Sequence, residues 1–234
     1  MTIKLPELSP LEEKLGHKFK DRDMLIQALT HRSFLNEHAE FSHPHNERLE
    51  FLGDAVLELI VTEYLYINYP NPEGELTTWR SALVNAKTLA GIANDLSFED
   101  FLLLSKGEAK DKDSKARQYI LANAIEALIG AIYMDGGTKA AKKFIDKNIL
   151  SHLKHILESK LYIDPKSKFQ ETAQEKLGVT PTYKVLKEIG PDHAKIFTVG
   201  LYLGKEKIAE GNGSSKQEAQ VSAAEAGLKA KKWG

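Results

Sequence analysis

The run QYILANAIEALIGAIYM, residues 118–134, constrains this chain more than any other stretch. It is apolar nearly all round, which predicts a central helix buried on every side. Only Asn123 and Glu126 are strongly polar inside it, and a spacing of three puts them on one side. A lone carboxylate in such a helix is costly unless it is paired, protonated or metal-bound. Glu126 is therefore the single most informative residue. Asp135-Gly136-Gly137 ends the helix, and Thr138 opens a further one to about Leu157.

A second stretch, HNERLEFLGDAVLE at residues 45–58, begins a long helix that runs toward Tyr69. Leu49, Leu52, Val56, Leu59 and Ile60 recur at helical spacing. Its acids form another stripe: Glu47, Glu50, Asp54 and Glu58 lie three or four residues apart. Like charges at that spacing destabilise a helix by a few tenths of a kcal/mol per pair, roughly. The plain reading is a solvated acidic face. Against it, bulky apolar residues interleave the acids, and Gly53 in mid-helix costs about 1 kcal/mol relative to Ala. Close backbone approach at Gly53 and a partly buried acid cluster that binds a hard cation account for both features.

Composition adds bounds. The chain has 234 residues, 42% hydrophobic and 28% charged, enough for one large domain or two ordinary ones. With no cysteine, disulfides, thiolate catalysis and Cys-based zinc sites are excluded. No apolar leader stands at the start and no run approaches membrane-spanning length, so no membrane partner and a cytoplasmic location are expected. Residues 1–157 hold 19 Lys+Arg against 23 Asp+Glu, net −4; residues 158–234 hold 13 against 10, net +3. An acidic first part and a mildly basic second part fit a metal site joined to an anion-binding module.

The remaining elements follow in order. Ser9-Pro10-Leu11-Glu12 reads as a capping box with Pro at the first helical position. Asp21 or Asp23 caps a helix with Leu25, Ile26 and Leu29, which leads into LTHRSF. His31 reads as a hydrogen-bonded structural residue rather than a base. His38, His43 and His45 lack the spacing of a helical zinc pair. After the loop PNPEG, one helix is expected from Glu75 to Asp95, then a short apolar piece, then a charged loop, SKGEAKDKDSKAR. A linker at residues 158–163 precedes a helix started by Asp164-Pro165. Three strand-like runs follow at residues 182–189, 195–203 and 207–210. Ser215-Lys216-Gln217-Glu218 caps a final Ala-rich helix.

The string NERLEFLGDAVL resembles the signature of the ribonuclease III family, the Mg-dependent endonucleases that cut double-stranded RNA. The α-β-β-β-α order with GNGSSK before the last helix resembles the double-stranded-RNA-binding domain. The resemblance implies an all-α endonuclease domain at residues 5–157 and an α+β RNA-binding domain at residues 164–233. It implies a homodimer cutting double-stranded RNA, with Mg²⁺ as cofactor and Mn²⁺ able to stand in for it. Glu50, Asp54, Asn123 and Glu126 are its metal positions, with Asp54 and Glu126 catalytic. The family often has Asp at position 123, so Asn123 brings an amide oxygen but no charge. Glu47 and Glu73 match acidic positions near the cut. Arg117, Lys168, Gln170, Pro191, His193, Ser215 and Lys216 match RNA contacts. Rival readings are a non-catalytic RNA-binding protein on a degenerate nuclease domain, and a helical metal-dependent nucleotide hydrolase.

Overall fold

The computed structural model describes residues 5–112, 114–160, 162–191 and 195–233. The chain divides into two compact units, Met1–Tyr162 and Ile163–Gly234. The first is built on two helices, α4 (Glu47–Asn68) and α8 (Lys115–Asn148). Around α8 lie α2 (Arg22–Leu29) and α6 (Ala86–Asp95). The shell is completed by α1 (Ser9–Leu15), α3 (Arg32–Glu37), α5 (Glu73–Val84), α7 (Lys106–Lys110) and α9 (Leu153–Glu158). Residues 121–132 of α8 are buried except at Asn123 and Glu126. The helix is long and apolar enough to cross a membrane by composition, yet here its apolar residues form the core of the unit.

Glycine brings α4 and α8 together. A Cβ on Gly53 would overlap the carbonyl oxygen of Glu126, and one on Gly130 would overlap that of Leu49. The two backbones thus touch across a reciprocal pair of glycines, closer than side chains would allow. At Gly137 the α8 backbone turns out of helical geometry, with φ 70° and ψ −174°. This is the stop expected at Asp135-Gly136-Gly137, followed by a second helical stretch.

Three local expectations are corrected. The capping box at Ser9 does not form: Leu8 occupies the cap, and Glu12 is buried. Its carboxylate accepts from Phe19 N at 2.9 Å and from Arg22 Nη2 at 2.6 Å, longer-range partners that outcompete the local one. The single helix expected to Asp95 is two, α5 and α6. Asn85 breaks it by going extended and accepting from Thr88 N at 2.9 Å, as an N-cap does. The charged loop is largely helical, with Ser105 capping α7 and Ser114 capping α8.

The second unit comprises α10 (Pro165–Leu177), a three-stranded antiparallel sheet and α11 (Lys216–Lys231). The strands are β1 (Thr182–Ile189), β2 (Ile196–Leu203) and β3 (Glu206–Gly213), in that spatial order. Asp164 caps α10 by accepting from Ser167 N at 2.8 Å, Pro165 stands in the first turn, and left-handed Gly178 closes it. Strand β3 runs longer than residues 207–210 because it pairs with β2 from Leu203↔Glu206 through Phe197↔Gly213. Phe169, Ala173, Leu201, Leu203, Ala223, Ala224 and Leu228 form the core. Small residues let α11 approach the sheet: a Cβ on Gly211 would overlap Ala223 N.

The glycine contact predicts a paired result. Gly130→Ala should cost about 1–3 kcal/mol or more, since neither backbone can yield without moving a helix. Gly91→Ala, mid-helix in open space, should stabilise by about 0.5–1 kcal/mol. Urea melts of both variants check this.

Candidate active site

Two helices supply the site. Asn46, buried at the α4 cap, fixes the start of that helix by donating its backbone N–H to Thr30 O at 2.9 Å. Glu50 and Asp54 follow one turn apart on α4, and Gly53 between them lies against the Glu126 carbonyl of α8. The glycine contact therefore delivers Glu50 and Asp54 beside Asn123 and Glu126. The Asn123 amide lies near enough to Glu50 to favour its charged form.

The electrostatics follow from that crowding. Burial first, then Asp54, then Glu50 push the Glu126 carboxyl up to about 7. Burial first and then Glu47 raise Glu50, with the Asn123 hydrogen bond opposing and Asp54 adding. Among the described residues, no three His, Asp or Glu side chains converge tightly enough to enclose one ion. The arrangement is looser: three carboxylates and one amide that feel one another, half-buried at Glu50, Asn123 and Glu126 and exposed at Asp54. All its donors are oxygens, the set that hard cations such as Mg²⁺ prefer, and Mg²⁺ keeps several waters, so few protein ligands suffice. The residues present thus fit such an ion.

The other expected site residues are placed as follows. Glu47 opens α4, exposed, 3.4 Å from Arg32 Nη1. Glu73 opens α5, exposed, and accepts from Thr77 Oγ1 at 2.9 Å. Arg117 is turned inward at 3% exposure, its Nη2 held 2.6 Å from Glu99 Oε1, so its guanidinium is not offered at the surface. The first turn of α8 points it into the fold, where Glu99 compensates a cation at the unfavourable end of a helix. Lys168 and Gln170 lie on α10, half-buried and exposed respectively, and Pro191 is exposed just after β1. His193 lies outside the described residues. Ser215 caps α11 by accepting from Glu218 N at 3.2 Å, and exposed Lys216 follows it. His31 caps α3 by accepting from Ser33 N at 3.3 Å. His43 pairs with Asp23 at 3.1 Å, and His38 stacks on Phe34 with ring centres 4.3 Å apart.

Sequence reasoning missed two polar clamps that hold α8 around the site. One is the Glu99–Arg117 pair. The other is Asp135, whose side chain is 2% exposed and accepts from His17 Nε2 at 2.8 Å, Lys20 N at 2.9 Å and Asp21 N at 3.0 Å. No local pattern announces either, since the partners lie 18 and about 115 positions away. The exposure of Phe51, 82%, was likewise hidden inside an apolar-looking helix face.

Comparison with known proteins agrees with this architecture. A family model described as ribonuclease-III-like matches residues 21–153, and the double-stranded RNA binding motif matches residues 165–231. Ribonuclease 3 of Protochlamydia amoebophila is 45% identical over 92% of this chain and 88% of its own length. Ribonuclease 3 of Borreliella burgdorferi is 44% identical over 96% of this chain and 91% of its own. A crystal structure of the nuclease domain of ribonuclease III from Campylobacter jejuni is 43% identical and covers 63% of this chain and 97% of that one, with a TM-score of 0.56. With both domains matched in order, and with an acid cluster where the two central helices of the first meet, this chain belongs to the ribonuclease III family and is an endoribonuclease of double-stranded RNA.

Proposed function

We propose that this chain hydrolyses double-stranded RNA in a Mg²⁺-dependent reaction, leaving 5′-phosphate and 3′-hydroxyl ends with short 3′ overhangs. Mn²⁺ can replace Mg²⁺. The observation that carries the reading is the packing of α4 on α8 at Gly53, which sets the half-buried Glu126 beside Asp54 and Glu50 and raises its carboxyl. A cation is the partner such a group lacks. Glu50, Asp54, Asn123 and Glu126 would hold it, with Asp54 and Glu126 nearest the chemistry. When bound, a divalent ion lowers the pKa of its water and stabilises the charge on the phosphate and leaving oxygens. The protein's own contribution is to hold the carboxylates in place through the Gly53–Gly130 contact, with the Asn123 amide favouring the charged form of Glu50. Asn123 brings no charge, which weakens attraction for the ion relative to a fourth carboxylate.

Substrate is held by the C-terminal module. A-form RNA is read by shape, through contacts to minor grooves and phosphates. Lys168, Gln170, Pro191 and His193 are the groove contacts we infer, with Ser215 and Lys216 presenting the α11 N-terminus to phosphate. Glu47 and Glu73 lie near the cut.

The acting species we infer is a homodimer. Phe51 and Tyr66, 82% and 80% exposed, lie on α4 with exposed Leu59 and Ile67, an apolar strip that a soluble surface rarely leaves open. Phe51 borders a recess of about 560 Å³ whose lining mixes apolar residues such as Met24 and Leu52 with polar Gln27, His45, Glu47 and Arg48. A second structure of the Campylobacter jejuni nuclease domain is described by flexibility in a region involved in dimer formation, and a second copy is the occupant we assign here. Structured transcripts in the cytoplasm, ribosomal RNA precursors among them, are the proposed substrates.

Three outcomes test these readings. Glu126→Gln should keep duplex affinity and lower single-turnover cleavage by orders of magnitude; a variant that cleaves like wild type in limiting Mg²⁺ sinks the ligand assignment. Without metal, the raised Glu126 pKa means stability is full below the ordinary carboxyl value of 4.5 and is lost as pH rises from there through about 7. The loss should be roughly 1–2 kcal/mol once partial solvent screening is allowed for. Calorimetry with chelator should show that pH dependence in wild type and a smaller one, left by the raised Glu50, in Glu126→Gln, and added Mg²⁺ should offset it at pH 8. Phe51→Asp should shift the protein toward monomer in sedimentation; an unchanged dimer removes the α4 strip from the interface.

A further inference from the structure

Lys216 begins α11, where backbone N–H groups and the helix dipole already favour anions. Its Nζ lies 3.2 Å from Glu188 Oε1 and 5.6 Å from the centre of the Phe197 ring. Glu188 and Phe197 are direct partners across β1 and β2, and Phe197 pairs in turn with Gly213 on β3. The ammonium therefore rests on a row of three residues at one end of the sheet, held by a carboxylate on one strand and an aromatic face on the next. Both members of the ion pair stay in reach of solvent, with side chains 59% and 41% exposed.

An exposed pair of this kind contributes little to folding. Its effect on binding is larger in principle. A lysine beside a carboxylate neutralises a phosphate less completely than a free one, because the acid must be displaced or left next to the incoming negative charge. We propose that Glu188 is an affinity-setting residue: a carboxylate that occupies Lys216 in the free protein and competes with RNA phosphate for it. The inference rests on the reading of Lys216 as a phosphate contact. It gives the module a built-in limit on duplex affinity that is independent of RNA sequence, and one that favours release of cut duplexes with few phosphates left to contact.

Two roles for Glu188 predict opposite signs. A competitor weakens binding. A residue that merely holds Lys216 ready over Phe197 strengthens it. The test titrates the full chain against a fluorescent duplex of about 20 base pairs, longer than the ~16 that one such domain spans. Chelator prevents cutting, and the salt concentration is varied. Glu188→Gln should tighten binding about three- to tenfold at low salt, equally for unrelated sequences. The slope of log K against log salt should steepen by up to about 0.9, the value of one additional neutralised phosphate. In a Lys216→Met background the same substitution should change nothing. Glu188→Thr, a residue favoured in strands, repeats the measurement should the Gln variant be poorly folded. Unchanged or weaker binding by the Glu188 variants overturns the proposal, as does a gain that persists without Lys216. A wild-type chain that binds no duplex would instead sink the reading of Lys216 itself.

Discussion

The backbone contact between α4 and α8 is the constraint on which the catalytic half of this protein depends. Gly53 faces the Glu126 carbonyl and Gly130 faces the Leu49 carbonyl, so each helix gives up a side chain to let the other in. The same contact sets the apolar and the acidic chemistry. On one side it closes the core around Leu57, Ile125, Leu128 and Ile129, all fully buried. On the other it brings Glu50 and Asp54 up against Asn123 and Glu126. Burying each large apolar side chain stabilises by about 1.5–3 kcal/mol, while ionising the crowded Glu126 costs roughly 1–2 kcal/mol. The core can therefore hold an acid cluster that would not assemble by itself.

Polar clamps at a distance keep the two helices in register. Asn46 ties the start of α4 to Thr30. Arg117 and Glu99 anchor the start of α8, and Asp135 anchors the end of its apolar stretch to the segment between α1 and α2. None of these groups belongs to the acid cluster. Each satisfies backbone or charged groups that would be expensive to bury alone, and each limits how far the site carboxylates can drift apart.

The second unit solves a smaller packing problem with smaller residues. Ala223, Ala224 and Gly227 on α11 meet Gly211 and Leu201 on the sheet, so the helix lies close to the strands. Close approach brings the α11 N-terminus to the end of the β1–β2 pair. There Lys216 meets Glu188 and Phe197, so the charge at the start of the helix is paired with a residue from another strand.

Much of this was legible in the sequence because it follows local rules. The apolar run at residues 118–134 dictates a central helix whatever surrounds it. The caps at Asp164-Pro165 and Ser215, the stop at Gly137 and the three strands of the RNA-binding module rest on interactions between near neighbours. The acid stripe on α4 and the lone Glu126 marked the two sources of the acid cluster, and Gly53 announced a close approach without naming its partner. What only the tertiary structure decided was partnership across long separations. Glu12 left its local cap for Phe19 N and Arg22, Arg117 turned from solvent to Glu99, and Lys216 found Glu188. Helical and strand periods are properties of a few adjacent residues, so sequence carries them directly. Which carboxylate meets which cation, or which glycine meets which carbonyl, depends on where distant segments come to rest, and that is set only when the whole core closes.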